Sequence, residues 1–428
     1  MRVVAPPANP KQREAIEYCD GPLQVIAGPG TGKTRVITDK VVYLVREKGI
    51  PPEAILALTF TDKAAEEMAG RIRSALAAAS IRGQPQVSTF HSFCLDLVEE
   101  NTERLGYLKT PRLLVGPLFV QFILDNIDAF PLRGTDLVGK VVAFAETLSD
   151  FVSLCHDEGI VDQDLCALVD RWAQETALGE DDAEVVAGVR DLAAAVPILR
   201  TLQRKHGIVT YGDLLTESVS LLKRNATARK ELQERYQYAL VDEFQDNNRS
   251  QFELVSLLSA GHHRLMVVGD EDQSIYRFRG ARMDLMREFR EGNAGQPTGP
   301  SVKVVTLEEN YRSTEAIITT FQTLIEHNKE RFGEKRIKRA TTSTIAGPDQ
   351  VQLKEAPSED RERAHVVRAI QERLGKGGRK PGDIAILCRS LAHTTDLVDD
   401  LRKAGVPVEV VGEAASFPTR SCGRSSRG

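Results

Sequence analysis

The chain has 428 residues, more than one hydrophobic core organises, so about two to four domains are expected. Its 56 basic and 61 acidic residues nearly balance, which excludes a generally basic nucleic-acid-coating protein and leaves only a local groove for such a contact. Six cysteines without metal-ligand spacing indicate neither a zinc site nor a disulfide framework, and no apolar leader or long apolar stretch is present, so a reduced, cytoplasmic setting without membrane contact is expected.

In chain order, Asn9-Pro10-Lys11-Gln12 comes first. A glutamine beside a nucleotide site can read an adenine edge through both ends of its amide, although Gln12 alone reads equally as a polar helix residue. Leu23–Ala27 is a short apolar strand that runs into Gly28-Pro29-Gly30-Thr31-Gly32-Lys33-Thr34-Arg35 and a helix-competent segment. Such a turn aims backbone N–H groups at an anion near a helix N-terminus. Lys33 is expected on the β- and γ-phosphates and the Thr34 hydroxyl on Mg²⁺. The general pattern begins with glycine, where this chain has Ala27.

Two further strands, Ile55–Thr59 and Val87–Thr89, end in hydroxyls and aromatics: Thr59-Phe60-Thr61-Asp62 and Thr89-Phe90-His91-Ser92. Thr61 or Asp62 is expected to cap the next helix. Phe60 and His91 are candidates for a single-strand track, although His91 reads equally as a structural residue. From Asn101 to Gly207 helical periodicity dominates, in Pro117–Phe130, Leu137–Leu154 and Ala183–His206. This stretch reads as a helical insertion.

Ala239–Asp242 and Leu265–Val268 return to strand character. The first ends in Asp242-Glu243-Phe244-Gln245-Asp246, where Asp242 is expected to hold Mg²⁺ and Glu243 to orient the attacking water. The second opens into Gly269-Asp270-Glu271-Asp272-Gln273, then Tyr276-Arg277-Phe278-Arg279. Gln273 has the donors and acceptor to touch both a γ-phosphate and a water. Phe278 with Arg279 suits a stacked base and its phosphate, or Phe278 is a core aromatic. Strands separated by helices give an α/β, doubly wound class with the chemistry at the strands' carboxyl ends.

A second α/β unit is expected from Val302, with strands at Val302–Leu307, Val351–Leu353, Ile384–Cys388 and Val408–Val411. Its helices are expected at Thr314–Asn328, Arg361–Leu374 and Thr395–Ala404. At its start, Glu309-Asn310-Tyr311-Arg312-Ser313-Thr314 offers Arg312 for a γ-phosphate and Tyr311 for adenine stacking, or a plain N-cap at Ser313 or Thr314. The end, Pro418–Gly428, has no apolar anchor and reads as disordered.

Taken in order, these stretches resemble superfamily 1 DNA helicases of the UvrD/Rep/PcrA type. The resemblance runs to about Gly412 and includes Tyr211-Gly212-Asp213, which leads out of the helical insert. It implies a RecA-like P-loop NTPase domain (1–100 and 207–301), the insertion (101–206), an incomplete second RecA-like domain (302–417) and a tail (418–428). It implies an enzyme coupling ATP hydrolysis, with Mg²⁺, to 3′-to-5′ movement on single-stranded DNA and at duplex junctions, in repair or replication restart. By the same resemblance Lys33, Thr34, Asp242, Glu243, Gln273 and Arg312 serve ATP and Mg²⁺, and Gln12, Arg35 and Tyr311 serve the adenine and ribose end. Phe60, His91, Phe278 and Arg279 face DNA. The family usually has Trp in place of Phe278, and Ala27 is normal for it. It also implies a two-lobe clamp, with Lys33 on one lobe and Arg312 on the other.

Two late motifs of the family, including one that supplies a second arginine finger, are not found. The expectation is a truncated or frameshifted chain that binds ATP and DNA yet unwinds poorly. The competing readings are a helicase lobe of a helicase-nuclease, an RNA-directed helicase, and a non-catalytic nucleotide-gated binding fragment.

Overall fold

The computed structural model describes residues 7–132, 138–160, 165–175, 183–292, 300–328, 331, 335–341, 351–376, 379–390 and 394–411. The expected tail at 418–428 lies outside them. Two compact units divide the chain between Asp349 and Gln350.

The first unit is built on a six-stranded sheet of order β3-β2-β6-β7-β1-β8. Its strands are β1 (Leu23–Ala27), β2 (Ile55–Thr59), β3 (Gln86–Thr89), β6 (Tyr238–Val241), β7 (Leu265–Gly269) and β8 (Lys303–Leu307). Every pairing in it is parallel. The five strands read from the first part of the sequence are all present, within a residue or so of their expected ends. The sixth is a correction. Lys303–Leu307 was expected to open the second unit, yet it pairs with β1 along its length, Leu23 opposite Lys303 and Ala27 opposite Leu307. Local apolar content identifies a strand, but only tertiary packing selects its neighbour.

Side chains alternate across the sheet and build two cores. Leu56, Leu58, Ala239, Val241, Leu265 and Val267 face one core, while Ile55, Ala57, Leu240, Met266 and Val268 face the other. The second is covered by α1 (Pro10–Glu17), α2 (Lys33–Arg46) and α3 (Asp62–Ala78), through Ile16, Ile37, Leu44, Met68 and Ile72. The first is covered by α4 (Phe90–Glu100), α9 (Tyr211–Arg224) and α11 (Arg249–Ser259), through Phe93, Leu97, Leu215, Leu222 and Val255. A sheet buried on both faces requires near-continuous apolar strands, and β1, β2, β6 and β7 are buried at every position.

Between α4 and α9 lies the helical insertion. A two-residue ladder joins β4 (Arg112–Leu113) to β5 (Ile208–Val209) at its two ends. Its helices include α5 (Pro117–Asp125), α6 (Val141–Asp157), α7 (Leu165–Glu175) and α8 (Ala183–His206). They pack around Phe119, Ile123, Leu148, Val196 and Leu199. Asp213 fastens this layer to α9. It is buried, accepts Gln203 Nε2 at 2.6 Å and Thr210 N at 2.8 Å, and lies 3.2 Å from His156 Nε2. Burial alone raises its pKa, but His156 and the Thr210 bonds outweigh that and hold it down at about 2. The α6 end also meets the sheet half directly, through Asn248 Nδ2 on Asp157 Oδ1 at 2.7 Å and Arg282 on Glu158 at 2.6 Å.

After α10 (Ala226–Arg235), the unit closes with α12 (Asp284–Arg290), α13 (Glu315–Ile325) and a short parallel pair, β9 (Glu309–Asn310) with β10 (Lys338–Arg339). The second unit holds α14 (Glu359–Lys376) and α15 (Thr395–Lys403) at their expected places, packed through Ile370, Leu397, Leu401 and Val406. Its three expected strands are not formed. Val351–Leu353, Ile384–Cys388 and Val408–Val411 carry no ladder, and Leu353 and Leu387 are 98% and 95% exposed. A strand exists through its neighbours, and among the described residues none pairs with these segments.

Candidate nucleotide and single-strand site

The site gathers at the carboxyl ends of β1, β6, β7 and β8. After Ala27, the loop Gly28–Gly32 turns sharply. Thr31 donates its backbone N–H and its hydroxyl to Gly28 O, at 3.3 and 2.8 Å, and α2 starts at Lys33. Two glycines are dictated by geometry. Gly30 (φ +68°) and Gly32 (φ +90°) occupy the left-handed region. A Cβ on Gly30 would lie 2.7 Å from Asn310 Nδ2 and 2.8 Å from Arg312 Cβ. A Cβ on Gly32 would lie 2.9 Å from Gln12 Nε2.

Gln12 is buried and its amide is used at both ends. Nε2 donates to Thr31 O at 2.9 Å, and Oε1 accepts Asn9 N at 3.1 Å within a capping box. It braces the phosphate loop. Asn310 braces the loop from the other side, donating to Pro29 O at 2.6 Å while its Oδ1 accepts the N–H groups of Arg312 and Ser313. Tyr311 N donates to Gly30 O at 2.9 Å, and its hydroxyl lies between Asn9 Nδ2 and Glu309 Oε2, each at 2.9 Å. The expected N-cap at Ser313 or Thr314 takes a different form. Thr314 is the cap residue of α13, but its hydroxyl makes no cap bond and the turn is held by Asn310.

Arg312 is exposed and its guanidinium has no partner among the described residues, which leaves it available to an anion. Its place corrects the expected clamp. Lys33 and Arg312 both belong to the first unit, because β8, which leads to Arg312, is hydrogen-bonded to the strand that leads to Lys33.

Opposite the loop, β6 ends at Val241 and Asp242 follows it. Lys33 Nζ lies 2.7 Å from Glu243 Oε2. Glu243 has φ +50°, a left-handed turn that a non-glycine residue adopts at a cost. Thr34 and Asp242 directly follow and precede that ion pair in sequence. Asp242 is buried, and desolvation, then the neighbouring Glu243, raise its pKa to about 6 against the opposing pull of Lys33. Asp246 is raised to about 6 as well, by burial and then by Glu243. Among the described residues no group of three or more His, Cys, Asp or Glu side chains is arranged to hold a metal ion, so any cation here would also need oxygens from a bound phosphate.

This gives a prediction. The folded pKa of Asp242, about 6, exceeds its unfolded value of 3.8, so the folded state keeps a proton that the unfolded chain has released. Stability is therefore lost as pH rises through that window, and the cost is complete above it. Asp242→Asn, which cannot ionise, should stabilise the nucleotide-free chain by about 3 kcal/mol near neutral pH and by nothing below pH of about 4. Urea titrations at the two pH values check this.

From Glu243 a hydrogen-bonded chain continues. Gln245 Nε2 donates to Glu243 Oε2 at 2.8 Å and its Oε1 accepts Asp270 N at 2.9 Å. Asp270 in turn accepts the Gln273 side-chain amide and, through its carbonyl, the Gln273 N–H at 2.9 Å. Gln273 is thereby joined to Lys33 through three residues. Gln245 and Asp270 are buried bridges that sequence reasoning passed over, since both sit inside the expected motifs without an assigned role.

The aromatic candidates gather beside this chain. Phe60 stacks on Tyr276 with centroids 4.9 Å apart, and Tyr276 lies 6.0 Å from Phe278. Arg279 lies over both Tyr276 and Phe278, at 5.5 and 5.7 Å. Phe278 is 79% exposed, which removes its reading as a core aromatic. Tyr276, unassigned from sequence, is the centre of the group. His91 is separate from it, edge-on to Tyr211 at 5.1 Å, although β2 and β3 are paired so that both strand ends share one edge. Burial lowers its pKa, with Asp62 opposing. Thr61, as expected, caps α3 by accepting Ala64 N at 3.2 Å.

Among the described residues, no helix is long and apolar enough to cross a membrane. The family model described as UvrD/REP helicase N-terminal domain matches residues 8–293, and that of the UvrD-like helicase C-terminal domain matches residues 305–422. The chain is 31% identical over 421 residues to an ATP-dependent DNA helicase PcrA of Staphylococcus epidermidis, covering 96% of this chain and 52% of that protein. It is 31% identical over 415 residues to the ATP-dependent DNA helicase Rep of Escherichia coli, covering 96% of this chain and 56% of that one. It thus spans about half the length of the curated relatives it matches. With its phosphate loop on a parallel α/β sheet of RecA-like P-loop type, the chain belongs to the UvrD/REP helicase family.

Proposed function

We propose that the chain binds ATP with Mg²⁺ between the phosphate loop and the end of β6, and uses its hydrolysis for 3′-to-5′ movement along single-stranded DNA in the cytoplasm. The observation that carries this reading is the unbroken connection from Lys33 through Glu243, Gln245 and Asp270 to Gln273, three residues before Tyr276 of the aromatic platform. The loop N–H groups and Lys33 bind the phosphates. Thr34 and Asp242 would hold the magnesium ion, which when bound neutralises charge on the β- and γ-phosphate oxygens. Arg312 adds a planar cation to the γ-phosphate. Tyr311, Arg35 and Gln12 lie at the adenine end, with Gln12 acting through its brace on the loop.

Hydrolysis needs an aligned water. Glu243 is held by Lys33 in the nucleotide-free chain, and a γ-phosphate competes for that lysine. Its carboxylate is then released to accept a water proton. Phe60, Phe278 and Arg279 receive bases and a phosphate of the strand, and His91 borders the same edge through its ring. Strand junctions with duplex are the natural substrate in repair or replication restart.

The deciding measurement is steady-state ATP hydrolysis with and without single-stranded DNA, with an RNA oligonucleotide as competitor. Turnover is expected to rise with DNA, and RNA is expected to compete poorly. Turnover that DNA leaves unchanged overturns the motor reading. Binding of both ligands without turnover assigns the chain as a nucleotide-gated binding module instead.

A further inference from the structure

Three consecutive acids follow β7, and a lysine from a distant segment is buried among them. Lys335 has a side-chain exposure of 4%, and the side chains of Asp270, Glu271 and Asp272 are exposed by 0%, 1% and 6%. Lys335 Nζ bonds Asp270 Oδ1 and lies 3.1 Å from Asp272 Oδ2 and 3.5 Å from Glu271 Oε2. Arg331 closes the group from outside. Its Nε and Nη2 take the two oxygens of Asp272 at 3.2 and 3.1 Å, and Nη2 also donates to Lys335 O at 3.3 Å. Burial works to discharge Lys335, but the three carboxylates outweigh it and keep the ammonium charged.

Such a cluster is a poor device for stability alone, because desolvating its charges offsets most of their attraction. It does one other thing. A carboxylate can only accept, so Asp270 Oδ2 compels Gln273 to turn its Nε2 toward it. The Gln273 Oε1 and one N–H are left over, an acceptor and a donor of fixed orientation. Asp270 itself is fixed on three sides, by Lys335, by the N–H of Asp272 at 3.2 Å, and through its own N–H by Gln245.

We infer that Lys335, supported by Arg331, is a positioning residue for the nucleotide site: it holds Asp270 so that the Gln273 amide meets the γ-phosphate and the attacking water in one orientation. The inference rests on the ATP reading above. It makes Arg331 and Lys335, the latter shortly before β10, which pairs with β9 beside Tyr311, part of the γ-phosphate sensor.

The test compares affinities for ADP and for a non-hydrolysable ATP analogue, each with Mg²⁺, by displacement of a fluorescent nucleotide from the full chain. Wild type is expected to prefer the analogue. Lys335→Met should lower analogue affinity about tenfold and leave ADP affinity within about twofold, the size expected for one hydrogen bond to a charged group. Gln273→Ala should do the same, and the double variant should lose no more than either alone, since the two act as one unit. Lys335→Arg should recover part of the loss. Where circular dichroism shows Lys335→Met to be unfolded, Arg331→Gln carries the test, with an expected loss of about threefold on the analogue only. Equal losses for ADP and analogue, full additivity with Gln273→Ala, or wild-type discrimination in the folded variants would each overturn the inference while the ATP reading stands. Wild type binding neither nucleotide would overturn both.

Discussion

Lys33→Ala is expected to lower ATP affinity by about 100-fold or more, the equivalent of losing two charge-assisted contacts to phosphate. The loss has two sources. The variant removes the cation that approaches the phosphates. It also removes the partner of Glu243 and the charge that opposes the raised pKa values of Asp242 and Asp246. The acidic side of the cleft is then more repulsive to a triphosphate. The Lys33 side chain is 13% exposed but covers no core, so the fold should persist. Lys33→Arg is not a conservative exchange here, because a planar guanidinium does not occupy the place of a compact ammonium. Titration calorimetry with Mg²⁺ and ATP, beside a circular dichroism melt, checks both statements. Nucleotide affinity equal to wild type would remove the phosphate-loop assignment.

The parts of this site that sequence revealed share a property. They are local. Gly30, Gly32 and Lys33 lie within one turn, and their spacing alone encodes an anion cradle. Asp242 and Glu243 directly end an apolar strand. The hidden parts are tertiary. Lys335 lies in a polar stretch with no periodicity, and nothing nearby marks it as the counter-ion of three acids 63 to 65 residues earlier. Asn310 and Tyr276 stand inside legible motifs, but their roles depend on Pro29 and Phe60 from other strands. The same division explains the fold. β1, β2, β3, β6 and β7 were legible because buried parallel strands are continuous apolar runs. The place of β8 was not, since a strand's neighbour is chosen by packing across the chain. The apolar segments of the second unit fail for the converse reason: composition alone makes no ladder, as Leu353 and Leu387 show. Arg312 follows wherever that strand pairs, which sets it beside Gly30 of the phosphate loop.

Phe278→Ala is expected to weaken single-stranded DNA binding by about 5- to 100-fold while ATP affinity stays unchanged, the range for one lost base stack. At 79% exposed, the ring contributes little to the core, so its loss should shift stability by no more than about 0.5 kcal/mol. Its neighbours are arranged as a platform, Tyr276 bridging Phe278 to Phe60, with Arg279 over two of the rings. A base face is sequence-tolerant, so the loss should be similar for different single strands. Arg279→Ala should act differently, by reducing the salt dependence of binding as one phosphate contact is removed. Phe278→Trp should tighten binding, because a larger ring covers more of a base. Anisotropy of a labelled oligonucleotide at several salt concentrations separates these effects. Wild-type DNA affinity in folded Phe278→Ala would move the strand away from this platform, and with it the connection from Gln273 to the DNA that the motor requires.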